Sequence, residues 1–150
     1  MTDLPYASSK VGQGREAEIR SVLRRAGASA IGFMVDDDER MVICQFRMAG
    51  RQVTVPVSIA SYERAWLATN PRGPRTNPED HARRARKIAE VAVWGVLADW
   101  IKAQGAMMAC GFLDADTAFL PHIHAPDGRR VAEHLAKSRA LLPPPQERHP

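Results

Sequence analysis

The sequence predicts an α+β fold: a three-stranded antiparallel sheet in α-β-β-β-α order, packed on a long helix, with a small helical C-terminal appendage. Three observations carry that expectation. Apolar residues alternate with period two through three successive segments between residues 31 and 59, separated by short polar or glycine turns. An amphipathic helical stripe precedes them, and a much longer one follows. The chain has 150 residues, the size of a single domain.

Residues 1–13 carry Pro5, Ser8, Ser9 and Gly12 with no apolar periodicity, and read as a flexible lead-in to a domain spanning 14–142. Gly12-Gln13-Gly14 follows no strand and lacks a phosphate-loop lysine, so it reads as the approach to a helix. Ile19, Val22, Leu23 and Ala26 then share one helical face, and Gly27 ends it. On the other face Glu16 and Arg20, four apart, form an attractive pair. Ile31, Phe33 and Val35 line the first strand; Asp36-Asp37-Asp38-Glu39 is a solvated turn. Val42, Cys44, Phe46 and Met48 line the second strand, Ala49-Gly50 turns the chain, and Val53, Val55, Val57 and Ile59 line the third. Pro56 cannot donate to a ladder, which puts the third strand at an edge or ends it there.

A short helix over Ser61 to Ala68 is expected next, then a Pro-rich loop from Thr69 to Pro78. Asn77-Pro78-Glu79-Asp80 is a helix start, with a capping side chain, Pro at the first position and acids in the first turn. The helix it opens is expected to run to about Gln104 and end at Gly105, with Ile88, Val91, Ala92, Gly95, Ala98 and Ile101 inward beside Trp94 and Leu97. Asp114 to Ile123 reads as a short helix cut by Pro121, and Pro126-Asp127-Gly128 as a turn. Arg130 to Leu142 reads as a last helix with Val131, Leu135 and Leu142 inward, followed by a disordered tail over 143–150.

A hydrophobic fraction of 45% and a charged fraction of 25% exclude a disordered chain. The longest apolar run, Val91 to Ile101, is broken by Gly95 and Asp99 and falls short of the about 20 residues that span a bilayer. No secretory signal is legible, and Cys44 and Cys110 have no zinc-ligand spacing; both read as reduced thiols, mostly buried, of a cytoplasmic protein.

The net charge of +4 is unevenly placed: +1 over residues 1–60, +3 over 61–104 and 0 over 105–150. Arg72, Arg75, Arg83, Arg84, Arg86 and Lys87 stand against only Glu79 and Asp80. Four of these cations lie early in a helix, where the macrodipole disfavours positive charge by up to about 1 kcal/mol each. Helix stability alone does not select that arrangement; beside a basic Pro-rich loop it offers donors and a field suited to phosphates, the plainer alternative being a solvated face with Glu90 four from Arg86. The expected partner is therefore nucleic acid, DNA before RNA, bound through the backbone without base readout. Trp66 and Trp100 are candidate anchors for a protein partner, the alternative reading. No nucleophile-and-base signature and no cofactor motif appears, so a non-enzymatic role is expected. His122 and His124, with Asp127 or His134, form a weak metal-ligand pattern, and no metal site is assigned to them.

The run Glu18-Ile19-Arg20 to Leu23-Arg24-Arg25, then Gly27-Ala28, the meander, the long helix with its tryptophans and the closing Phe119-Leu120, His122-Ile123 and Pro126-Asp127-Gly128 resembles short uncharacterised phage and prophage early-region proteins over about residues 15 to 135. That resemblance implies a setting beside phage recombination or replication functions and no catalytic residue. The element order also resembles a double-stranded-RNA-binding domain, which likewise carries basic residues at the start of its second helix. The function expected is an accessory protein of phage or prophage DNA metabolism.

Overall fold

The computed structural model of the protein describes residues 4–138 and 142–145. A 3-10 turn, Gln13–Arg15, leads into α1, Glu16–Arg25, which buries Ile19 and Leu23. Gly27 follows at φ 98°, the left-handed conformation that stops the helix. Strands β1 (Ser29–Asp36), β2 (Met41–Met48) and β3 (Arg51–Ser58) then form one antiparallel sheet in the order β1-β2-β3. Ala49 and Gly50, at φ 51° and 73°, make the mirror-image turn whose twist matches that of the strands it joins.

β3 continues through Pro56 because it is an edge. Val53 and Val55 exchange ladder bonds with β2, so the alternation turns the nitrogen of Pro56 outward, where no sheet partner needs a donor. Farther along that edge, His124 N donates to Gln52 O at 2.9 Å, and Ile123 bridges to Val53. Pairing of Val42, Cys44, Phe46 and Met48 with β3 places these side chains on one buried face.

α2 (Ile59–Thr69) starts where Ser58 Oγ accepts from Ser61 N, two residues before the expected Ser61. α3 runs Pro78–Ala109, five residues beyond the expected Gln104; at 1.5 Å per residue its 32 residues extend roughly 48 Å. Gly105 does not end it. A Cβ there would sit 3.0 Å from Val22 Cγ1, so this glycine marks the close approach of α1, and Gly111 at φ 74° takes the terminating role. Trp94, Leu97 and Ile101 project into the core with Ile19, Leu23, Val42, Phe46 and Val53. Ile88 and Val91 are only half-buried, while Ala85 and Ala89 are fully buried. The buried surface of α3 is thus wider and richer in alanine than the sequence pattern implied, extending round most of the helix.

In β1 the inward face is incomplete. Phe33 packs on Trp94 at 5.7 Å between ring centres, whereas Val35, expected in the core, is 42% exposed.

The appendage comprises α4 (Ala115–Phe119), a 3-10 turn (Leu120–His122) and α5 (Val131–Lys137). Phe119 anchors it, meeting Phe46 at 5.1 Å and Trp100 at 5.8 Å, both edge-on. α5 stops at Lys137, and Leu142, expected inward, is 68% exposed. The expectations for residues 1–3, 139–141 and 146–150 lie outside the described residues.

The greatest departure is at the N-terminus. Residues 4–12, expected as a flexible lead-in, lie as a strap along α3. Tyr6 Oη donates to Asp99 Oδ2 at 2.8 Å, and Arg15 Nη2 donates to Asp99 Oδ1 at 2.8 Å. Tyr62 Oη of α2 donates to the Pro5 carbonyl. Gly95 makes room: a Cβ there would lie 3.0 Å from the Tyr6 ring and 3.4 Å from Ser9 Oγ.

Gly95→Ala is expected to destabilise the protein although alanine favours helix by about 1 kcal/mol, because overpacking costs about 1–3 kcal/mol and Tyr6 cannot retreat without losing Asp99. Phe119→Ala is expected to cost about 3–5 kcal/mol, since the ring is fully buried. Urea unfolding of both variants checks these values.

Candidate nucleic-acid interface

The first turns of α3 set the geometry of the cations. Asn77 Oδ1 accepts from Glu79 N at 2.8 Å, Pro78 takes the first helical position, and Glu79 and Asp80 offset the helix dipole. With Ala85 and Ala89 turned inward, Lys87 lies on the opposite side of the helix at 100° per residue, and Arg84 and Arg86 lie on opposite flanks.

The six cations predicted from sequence therefore do not form one patch. Arg83, Arg84 and Lys87 line a groove of about 600 Å³ between α3 and the strap, together with Lys10, Ser8 and Ser9. Arg86 lines a separate depression with Asp36, Asp37, Arg40 and Glu90. Arg72 is folded back on its own loop, donating to Thr76 O at 2.7 Å, and Arg75 is exposed in that loop. Lys10 is the functional candidate that the sequence pattern missed. The signals that could have found it are Gly95 within an apolar helix and Tyr6 ahead of it, the marks of a close crossing.

Within the groove, Arg83 Nη1 reaches Asp80 Oδ1 at 3.0 Å, with both side chains more than 60% exposed. Such a pair is weak and leaves the guanidinium available. Among the described residues Lys10, Arg84 and Lys87 have no carboxylate partner. Arg84 instead stacks over the Trp66 ring at 5.8 Å, which sets its direction without neutralising it. Four cations and one carboxylate thus share one concave surface, with two hydroxyls beside them.

Neither tryptophan stands free as an anchor. Trp66 is 5% exposed, enclosed by His81 at 5.3 Å and by Arg84. Trp100 is half-buried and meets Phe119 and His122 edge-on. The exposed aromatic ring is Phe112, 70% accessible just past the end of α3.

His124 and His134 are taken up by structure. Gly128 O accepts from His124 Nδ1 at 2.8 Å, which leaves Nε2 to accept from Thr54 Oγ1 at 2.7 Å. His134 pairs with Asp127 at 3.0 Å. His122 packs on Trp100 with its buried Nδ1 unpaired among the described residues, and burial, with Arg130 nearby, holds its pKa below the ordinary histidine value. Among the described residues no three His, Cys, Asp or Glu side chains are gathered as a metal site. The Asp36 carboxylate caps its own turn, accepting from Glu39 N at 2.9 Å. Cys44 is buried, which pushes its thiol up to about 12, while Cys110 is exposed rather than buried.

The chain matches no family model, and no curated protein or solved structure is detectably similar to it. No helix among the described residues is long and apolar enough to cross a membrane.

The clamp that holds the strap is sensitive to pH. Tyr6, and then Arg15, hold the Asp99 carboxyl below the usual carboxylate range. Its contribution is complete above the unfolded carboxylate pKa, about 4, and is lost as pH falls through the lower folded value. Tyr6→Phe is expected to cost about 1 kcal/mol at pH 7, the partial exposure of Asp99 reducing the usual yield of a charged hydrogen bond, and less at pH 3. Urea titrations at the two pH values check this. A thiol reagent at pH 8 is expected to modify Cys110 rapidly and Cys44 only on unfolding.

Proposed function

We propose that the protein is a non-enzymatic nucleic-acid-binding accessory, its groove between the strap and α3 holding backbone phosphates. One observation carries this reading: Lys10, Arg83, Arg84 and Lys87 converge on one concave surface from two segments distant in sequence. Three of these cations follow closely on one another in the second and third turns of α3, and a polyanion would relieve their mutual repulsion. Serine hydroxyls beside the cations supply the neutral donors common at phosphate contacts. Nothing in the groove is shaped for base edges, and DNA is preferred to RNA only through the phage or prophage setting that the resemblance implies.

Fluorescence anisotropy with labelled single- and double-stranded DNA and RNA tests the reading. Binding at about 50 mM salt is expected to weaken with a log–log slope of roughly −3 to −4, from about four neutralised phosphates. Arg84→Ala with Lys87→Ala is expected to remove about half of that slope, Lys10→Ala about a quarter, and Arg86→Ala none. Absence of binding to all four probes, or equal loss from Arg86→Ala and Lys10→Ala, would overturn the assignment.

Phe112 favours a second reading, a protein-interaction module. The Phe112 backbone N–H donates to Met107 O at 2.9 Å, and Met107 is itself 37% exposed. This replaces Trp66 and Trp100 as the proposed anchor. A nuclease-treated pull-down whose captured protein is lost with Phe112→Asp favours it, and capture unaffected by that variant counts against it.

A further inference from the structure

The two edges of the sheet are treated differently. β3 is capped by His124 at Gln52 and turns its proline outward, whereas no backbone among the described residues pairs with the outer edge of β1. The ladder settles which groups are free there. Met41, Ile43 and Gln45 pair with Asp36, Met34 and Gly32 through groups that face each other, so the intervening Phe33 and Val35 turn their N–H and C=O groups away from the sheet. Ile31 O faces the same way and is occupied, accepting from Arg20 Nη1 at 3.0 Å.

An open edge normally carries a lysine, a proline or an inward-pointing charge that discourages pairing. A bulge between Ser29 and Gly32 blunts the start of this edge, and from Gly32 to Val35 no such device is present. Met34 and Val35 are instead 52% and 42% exposed, and Met34 begins an apolar row, Met34-Ile43-Pro56, across the outer face of the sheet.

We infer that β1 pairs with β1 of a second copy of this chain, antiparallel about a two-fold axis at Met34, joining two three-stranded sheets into one. In that register Phe33 of each copy lies opposite Val35 of the other, and their free groups form about four backbone hydrogen bonds. The two Met34 side chains meet on the outer face and join the apolar rows. Gly32 falls opposite Asp36, where it offers no side chain to clash. Asp37 falls opposite Ile31 and thus beside Arg20 of the other copy. The turn Asp36–Glu39 has four carboxylates and no ion pair among the described residues, and Asp37 would share a guanidinium that Glu16 of that other copy already holds at 2.9 Å. Moving the axis to Phe33 would set Val35 against the occupied Ile31 carbonyl, and moving it to Val35 would set Phe33 against the turn. The segment complements itself in one register, which singles out a second copy over a foreign strand.

Sedimentation equilibrium over a concentration series, with disulfide trapping, tests this pairing. The mass is expected to rise with concentration toward twice the 16.6 kDa of one chain. In a Cys110→Ser background, Met34→Cys is expected to form a disulfide-linked dimer at least about tenfold faster than the control Val11→Cys, the opposed Cα atoms being near 4.5 Å apart. Val35→Pro removes an outward donor without touching the ladder to β2, and is expected to leave a folded monomer. Met34→Lys, on the exposed outer face, is expected to do the same should the proline variant fail to fold. A monomer at every concentration, trapping no faster than at Val11, or a dimer that persists in the folded variants overturns the inference.

Discussion

The close approach that small residues permit along α3 is the constraint on which the rest of the molecule depends. Ala85, Ala89, Ala92 and Ala98 are buried with almost no accessible surface, and Gly95 and Gly105 admit the strap and α1. Large side chains are kept to one side, where Trp94, Leu97 and Ile101 fill the space above the sheet. A helix so arranged has neighbours on several sides, and packing density near that of a crystal leaves little tolerance for an added methyl group. The strap lies where it does because Gly95 is bare and Asp99, one turn later, accepts from both Tyr6 and Arg15.

The same helix supplies the electrostatics. Its first turn carries a cap, a proline and two acids, all of which favour helix, and three arginines and a lysine follow in the next two turns. Helical rotation divides those cations among different surroundings. Arg86 meets acids at the β1–β2 turn, while Arg83, Arg84 and Lys87 turn toward the strap and gain Lys10. Positive charge thus accumulates in a concave place, where the field is stronger than on a convex surface of equal charge.

Much of the fold was legible because local rules governed it. The Ala49-Gly50 hairpin, the Asn77-Pro78 helix start and the Gly27 stop each depend on backbone conformations open to few residue types, and the structure places all three where the sequence does. The end of α3 was misplaced because Gly105 was read as a conformational signal, whereas it serves a crossing between helices. Alternation alone assigns Val35 to the core, yet it lies on an edge strand and is 42% exposed. Trp66 and Trp100 are candidate anchors by sequence, but His81 and Arg84, distant in sequence from Trp66, enclose the first, and Phe119 and His122 pack on the second.

By itself the sequence determined the element order, the faces of the strands and the local excess of positive charge, since periodicity, turn chemistry and composition act over a few residues at a time. Only the tertiary structure decided which charges stand together. That grouping rests on a contact between Tyr6 and Asp99, 93 residues apart, and on a helix rotation set by burial. The +4 of the whole chain became a groove of four cations, one of them Lys10, because packing selects neighbours without regard to distance along the chain.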